Sequence, residues 1–364
     1  MTACDACLRR TALVARLAAH VERARRERRR LGELLSLADE RLIDALAGDR
    51  RAEIVAAHTG FDAARARERL AAVSMHAVCR HDARYPPRLL EADDAPAVLH
   101  VAGDVELLAM LADRDAPAVA VVGARRAGAD GLEVSRGLGR GLAAAGVTVI
   151  SGMALGIDAA AHAGALEVGG PTISVLAGGA DVAYPASKRS LHRELVRSQA
   201  VISEMPPGFK PFRWCFPARN RTIAGLASMT IVVEATERSG SLITAELAQA
   251  LGRAVGAVPG SVTAPRCVGS NALLRDGALV IRDAQDALDE ALGIGVATAL
   301  TGRRAEDLDA PLRALLRRVE DGRDTVSSLA ATPAEAGHAI AGLAELELLG
   351  FLRRGPGGHY VRVL

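Results

Sequence analysis

The chain has 364 residues, 50% of them hydrophobic, and a net charge of +2. That length holds two or three domains with a real core, and the balance excludes a disordered acidic tail and a globally basic, histone-like protein. No apolar run reaches the ~18–20 residues that span a bilayer. The opening MTACDACLRRTALVARL lacks the apolar core and cleavage site of a signal peptide, so a cytoplasmic location is expected. Only two of the 45 cationic residues are lysines, Lys188 and Lys210. Nine aromatics serve the whole chain, and four of them (Phe209, Phe212, Trp214, Phe216) fall within eight residues.

Residues 1–75 are rich in Ala, Leu and Arg at helical spacing, with Leu13, Leu17 and Val21 on one stripe. LGELLSLADERLIDALAG reads as a short helical hairpin within this N-terminal domain. Arg25, Arg26, Arg28, Arg29 and Arg30 form a basic run that fits a solvated helix face or a nucleic-acid surface. Cys4 and Cys7 form one C-x-x-C, and no second Cys/His pair follows at zinc spacing. The five scattered cysteines argue against a disulfide framework. Ordinary thiols and no metal are therefore expected.

After a proline-punctuated segment (76–118), apolar runs of strand length alternate with helical stretches. The runs are 118–122, 147–150, 172–177, 200–202, 230–235, 254–258 and 278–281. Continuous β-branched runs are strands buried on both faces, hence a mainly parallel sheet covered by helices. The expected domain, 76–293, is a doubly wound α/β fold with ligands at the carboxyl ends of the strands. A charged linker is expected over about 284–308. Three helices and a Gly-Pro-Gly-Gly hairpin then predict a winged-helix domain over 305–364.

Several strand ends carry anion chemistry. The first strand leads into Gly123 and Arg125 and then a helix, whose free N–H groups suit a phosphate. The G-x-G-x-x-G fingerprint is absent, so a dinucleotide is not indicated. The second strand ends at Ser151-Gly152, ahead of Asp158, which fits a helix cap, and His162, which fits a base or, more readily, a packed core histidine. Lys188 opens a basic helix after the third. Ser239-Gly240-Ser241 forms another cradle at a helix start. Between 185 and 221, eight Lys/Arg stand against two acids, with the four aromatics interleaved. That mixture suits unpaired nucleic acid, because cations track phosphates and rings stack on bases at about 1–3 kcal/mol each. The competing reading is a small satellite core under a long loop. No nucleophile–base pair, Walker motif or metal cluster stands out, so no catalytic residue and no cofactor are assigned.

VGAR, ISGMALGIDAAAH, TISVLAGGADVAYP, ISEMPPG, FPARNRTIAGL, VVEATERSGSLITAELA and AVPG follow one another at spacings that resemble the DNA-processing protein A family (DprA, also called Smf), over about 85–283. The resemblance implies an extended Rossmann-like fold and a non-enzymatic, homodimeric single-stranded DNA-binding protein. It implies that the protein loads RecA onto DNA and helps overcome single-strand-binding protein during natural transformation. Residue by residue, it implies phosphate contact by Gly123, Arg125, Gly152, Lys188, Ser239 and Gly240, beside Ser241. It places Phe216, Arg219, Asn220 and Arg221 at the DNA groove. FKPFRWC departs from the family's commoner small, Pro-rich stretch, which leaves Phe209, Lys210, Phe212 and Trp214 unassigned. The alternative is a nucleotide-binding enzyme of the phosphoribohydrolase (lysine-decarboxylase-like) type, whose P-G-G-x-G-T-x-x-E element would fall at Ser239–Glu246. Residues 305–364 hold seven Arg and nine acids, and Glu335, Glu345 and Glu347 lie on the third helix without a Lys or Arg. A groove-reading helix needs cations, so the tail is expected to bind protein rather than DNA.

Overall fold

The structure is a computed structural model, and it describes residues 3–27, 29–294, 308–330, 332–348, 351–355 and 358–362. The chain forms two compact units that divide between residues 294 and 295.

The first unit is built on a nine-stranded sheet: β1 Met75–Cys79, β2 Val98–Gly103, β3 Ala118–Val122, β4 Thr148–Ser151, β5 Thr172–Leu176, β6 Ala200–Ser203, β7 Met229–Val232, β8 Ala254–Ala257 and β9 Leu279–Val280. Their order is β1-β2-β6-β5-β4-β3-β7-β8-β9. From β6 through β9 every pairing is parallel. β1 and β2 add an antiparallel margin. All seven apolar runs become strands; β3, β5 and β7 are buried at every position, whereas the edge strand β9 is exposed at both of its residues. The margin was not legible as strand, since its second strand follows a Pro-rich turn.

The order reverses beside β3. The chain winds outward through β4, β5 and β6, then returns to place β7 on the other side of β3. The β3–β7 boundary is thus the topological switch point, where diverging connections leave a crevice at the carboxyl ends.

Six helices between Asp5 and Ala72 precede the sheet. Leu13, Leu17 and Val21 are buried as their spacing predicts. The expected hairpin forms as Leu31–Ser36 and Asp39–Leu46. This segment does not separate as its own unit. Trp214 explains why. It is fully buried among Leu17, Val21, Leu42 and Ile54, and its indole Nε1–H donates to the Ala18 carbonyl at 2.9 Å. Cys4 and Cys7 also pack inward, onto the edge of β1.

The expected linker over 284–308 begins instead with a helix, Ala284–Leu292. Asp283 caps it by accepting the N–H groups of Gln285 and Asp286, and Ala287 and Leu288 are buried. The remainder, 295–307, lies outside the described residues.

The second unit contains helices Ala310–Glu320, Val326–Leu329 and Pro333–Leu348, and an antiparallel pair, β10 Leu352–Arg354 and β11 Tyr360–Arg362. Thr325 caps the middle helix with a reciprocal capping box. Leu312, Leu316, Leu343, Leu346 and Phe351 form a separate core.

Candidate nucleic-acid interface

A cavity of about 440 Å³ opens at the switch point. β3 contributes Val122 and Gly123, its following loop Arg125, and the helix after β7 contributes Ser239, Gly240 and Ser241. The third wall is the helix Cys215–Leu226, which crosses from β6 to β7. Phe216, Arg219, Asn220 and Ile223 all line the cavity. Their spacing of three, four and seven residues places them on one helical face.

Gly123 lets the turn close. A Cβ there would stand 2.7 Å from the Ile157 side chain and 3.0 Å from the Glu234 carbonyl. Ser239 is the N-cap of Gly240–Ala250, accepting the Ser241 N–H at 3.3 Å, so the first-turn amides of that helix border the cavity. Asn220 donates to the Gly240 carbonyl at 3.1 Å and ties the two walls together.

Arg219 is the centre of the site. Its side chain is 8% exposed, and Asp158, its ion-pair partner, stands 3.9 Å away. That separation is too long for a hydrogen bond, and the Nε and Nη1 donors have no partner among the described residues. Burial holds this guanidinium below its ordinary value, against the opposing pull of Asp158. Burial likewise raises the Asp158 carboxyl, with Arg219 and amides including Gly152 N–H offsetting part of the rise. A buried cation with unmade hydrogen bonds is costly unless a ligand makes them.

Above it lies an aromatic–cation stack. The Arg125 guanidinium sits 5.4 Å from the Phe216 ring centroid, and the Tyr184 ring sits 5.4 Å from Phe216 on a 52° tilt. The cavity lining holds four guanidinium groups (Arg25, Arg125, Arg213, Arg219) against one carboxylate, Asp158. This sign and geometry favour a phosphate beside a flat ring.

Tyr184 and Arg213 lie in segments that carried the sequence reading, TISVLAGGADVAYP and the basic stretch 185–221, but nothing in the sequence assigns them to the site. Arg25 belongs to the N-terminal basic run; it lines the cavity while pairing with Glu22 at 2.9 Å. Only folding brings it there, through Glu22, which also accepts the Trp214 backbone N–H at 2.9 Å.

Three expected site residues stand elsewhere. Gly152 lies beneath Arg219 rather than in the cavity wall: a Cβ would collide with the Arg219 guanidinium. Its glycine is needed for the arginine. Lys188 ends the short turn Ala186–Lys188 and does not line the cavity. Arg221 is corrected most clearly. It is five residues past Phe216, on the opposite helical face. There it pairs with Glu204 at 2.5 Å and Asp94 at 3.3 Å, with its side chain 10% exposed. Among the unassigned aromatics, Trp214 is core, Phe209 packs against that core, and Phe212 stays exposed, 6.2 Å from Phe209. His162 packs against β5, its Nδ1 2.8 Å from the Thr172 hydroxyl, whereas Asp158 is not the helix cap: Gly156 is the N-cap, and Asp158 lies in the first turn and accepts the Gly152 N–H. Glu246, the acid required by the phosphoribohydrolase alternative, does not line the cavity.

Comparison with known proteins agrees with this arrangement. The sequence profile described as DNA recombination-mediator protein A matches residues 76–292. Protein Smf of Synechocystis is 34% identical over 314 residues, covering 77% of this chain and 78% of that protein. The X-ray structure of DNA processing protein A from Streptococcus pneumoniae superposes with a TM-score of 0.63 at 33% identity, covering 80% of this chain and 99% of that one. A Helicobacter pylori DNA processing protein A, described for its single-stranded DNA binding mode, gives a TM-score of 0.54 at 28% identity, covering 60% of this chain and 95% of that one. By motif order, fold and matched length, the chain belongs to the DNA recombination-mediator protein A (DprA/Smf) family.

Proposed function

We propose that this protein binds single-stranded DNA across the carboxyl edge of its sheet and acts as a recombination mediator, a non-catalytic role. The observation that carries the reading is the buried, incompletely bonded Arg219 beneath the Phe216–Arg125 stack. A phosphate satisfies the guanidinium, and the neighbouring ring accepts an unpaired base. A duplex keeps its base faces stacked and gains nothing from the ring. The single-stranded DNA binding described for the Helicobacter relative supports the same reading. Gly123, Ser239, Gly240 and Ser241 supply backbone donors, and Asn220 and Arg125 flank the phosphate. Lys188 extends the cationic edge.

In this reading the protein works in DNA processing during transformation as a homodimer, handing the strand to RecA in competition with single-strand-binding protein. The second unit is read as a winged helix that docks protein. The helix Pro333–Leu348 carries three Glu and no Lys or Arg. A RecA pull-down with and without single-stranded DNA tests the partner directly.

The binding reading is tested by fluorescence anisotropy with an unstructured oligonucleotide and its duplex across a salt series. Preference for the single strand is expected, with log affinity falling linearly in log salt. Arg125→Ala should weaken binding for all sequences alike. Duplex preference would overturn the function, and unchanged affinity in Arg125→Ala would overturn the site.

A further inference from the structure

At the β1 margin of the sheet, outside the switch-point cavity, Cys4, Cys7, Cys79 and His81 converge. Their four ligand atoms, three Sγ and one imidazole nitrogen, all lie within 4.8 Å of one another. The His81 Nδ1 is 3.5 Å from the Cys4 sulfur and 3.3 Å from the Cys7 sulfur. All four residues belong to the described first unit, and all three cysteines are free thiols.

Local structure delivers each ligand. Cys4 is the N-cap of the helix Asp5–Arg16 and Cys7 lies in its first turn, so both sulfurs sit at the positive end of that helix. Cys79 is the last residue of β1. The turn beyond it is pinned by Arg80 N–H donating to the Ala97 carbonyl at 3.2 Å and Asp82 N–H donating to the Cys79 carbonyl at 2.8 Å. That turn directs His81 back over the strand end. Cys7 and Cys79 are buried, Cys4 is half-buried and His81 is exposed. An exposed histidine that turns a ring nitrogen toward two sulfurs is not explained by apolar packing.

We infer that Cys4, Cys7, Cys79 and His81 form a structural zinc site that staples the N-terminal helix to the edge strand of the sheet. The ligand set is a closed Cys₃His site, a common structural zinc chemistry. Zn–S bonds of ~2.3 Å and a Zn–N bond of ~2.0–2.1 Å imply tetrahedral S···N edges of roughly 3.5 Å, which the two observed separations match. Binding takes three thiolates and one neutral imidazole, releasing the thiol protons to solvent, and leaves the site with one net negative charge. The adjacent Arg80 is placed to offset it. No step changes the oxidation state of metal or sulfur.

The sequence alone hid the site because its halves are 72 residues apart, and the second half has C-x-H rather than C-x-x-C spacing. The staple closes that long loop at the root of the helices that carry Glu22 and Arg25 to the DNA cavity.

The test uses the untagged, full-length chain, purified under reducing, chelator-free conditions. Elemental analysis should find about one zinc per chain. Cobalt(II) exchange should give thiolate-to-cobalt charge transfer and the strong visible bands of a tetrahedral ion. Cys7→Ser and Cys79→Ser should lose the metal. His81→Ala should weaken zinc retention at least tenfold, in line with loss of a ligand-level interaction. Because His81 is exposed, that variant gives the readout even if a cysteine variant fails to fold. Cys267→Ser should keep its zinc. Chelation should lower Tm reversibly, with recovery on adding zinc. Zinc-free protein with all five thiols reduced, a Cys4–Cys7 disulfide in the purified chain, or zinc retained equally by the Cys7 and His81 variants would each overturn the proposal.

Discussion

Arg219 and Arg221 lie two residues apart on one helix, and both guanidinium groups are buried, yet they meet opposite surroundings. On one side, Arg221 is enclosed by Glu204 and Asp94. On the other, Arg219 has Asp158 at 3.9 Å and two donors without partners among the described residues. Burial alone therefore does not separate a structural arginine from a binding one. How much of its hydrogen bonding the protein itself supplies does: both Arg221 Nη groups donate, to the Asp94 carbonyl and to Glu204, and only its Nε has no partner among the described residues. A largely satisfied buried cation holds the fold together. An unsatisfied one beside a cavity is kept at a cost in stability, and a ligand recovers that cost.

The comparison breaks most visibly on the structural side. Arg221→Ala would leave the Glu204 carboxylate buried without its cation and should cost about 3–5 kcal/mol in urea unfolding. Trp214→Ala, which empties the adjoining core, should cost a similar ~3–5 kcal/mol. A loss below ~1 kcal/mol in both would mean this face does not hold the helical segment to the sheet.

On the cavity side, Phe216→Ala should lower single-strand affinity by about 1–3 kcal/mol, roughly 5- to 150-fold. Duplex affinity should hardly change. Equal losses for single strand and duplex would show that the ring positions Arg125 rather than stacking on a base.

A further expected effect is a pH slope in stability. Burial pushes His162 down to about 3 and His100 down to about 4, from an ordinary value of 6.5. Their folded values are depressed, so both stay neutral in the fold and charge first in the unfolded chain. Stability from that neutrality is complete above about pH 6.5 and is lost as pH falls toward 4 and then 3. Each histidine should add up to ~1.4 kcal/mol per pH unit in that window. His162→Gln should remove one such increment in urea unfolding followed from pH 7 to 4. An unchanged slope would mean that His162 is already charged in the folded protein. Arg219 belongs to this effect too, because its charge adds to the depression of His162.

Much of this was legible before folding. The central parallel strands were readable because a strand buried on both faces leaves a continuous apolar run, although the exposed edge strand β9 carries such a run as well. The Gly and Ser turns that line the cavity were readable because each falls where an apolar run stops and a helical stretch begins. What the linear chain concealed is direction. Phe216, Arg219, Asn220 and Arg221 read as one basic-aromatic motif, yet the helical repeat sends Arg221 to the opposite face. The four clustered aromatics likewise divide: Phe216 goes to the cavity and Trp214 to the core, from neighbouring turns of chain. Residues joined only by tertiary structure were out of reach altogether, whether Arg25 at the cavity or His81 beside Cys4 and Cys7.

The decisive measurement is a paired one on Arg219→Ala: single-strand affinity across a salt series, and urea stability of the same sample. An incompletely bonded cation kept for a phosphate predicts at least a tenfold loss of affinity, a salt slope reduced by about one, and a stability loss smaller than that of Arg221→Ala, since the Asp158 carboxylate keeps its bond from the Gly152 N–H. Wild-type affinity and slope, together with a stability loss as large as that of Arg221→Ala, would show that Arg219 is a second structural arginine and would contradict the assignment of this cavity to DNA.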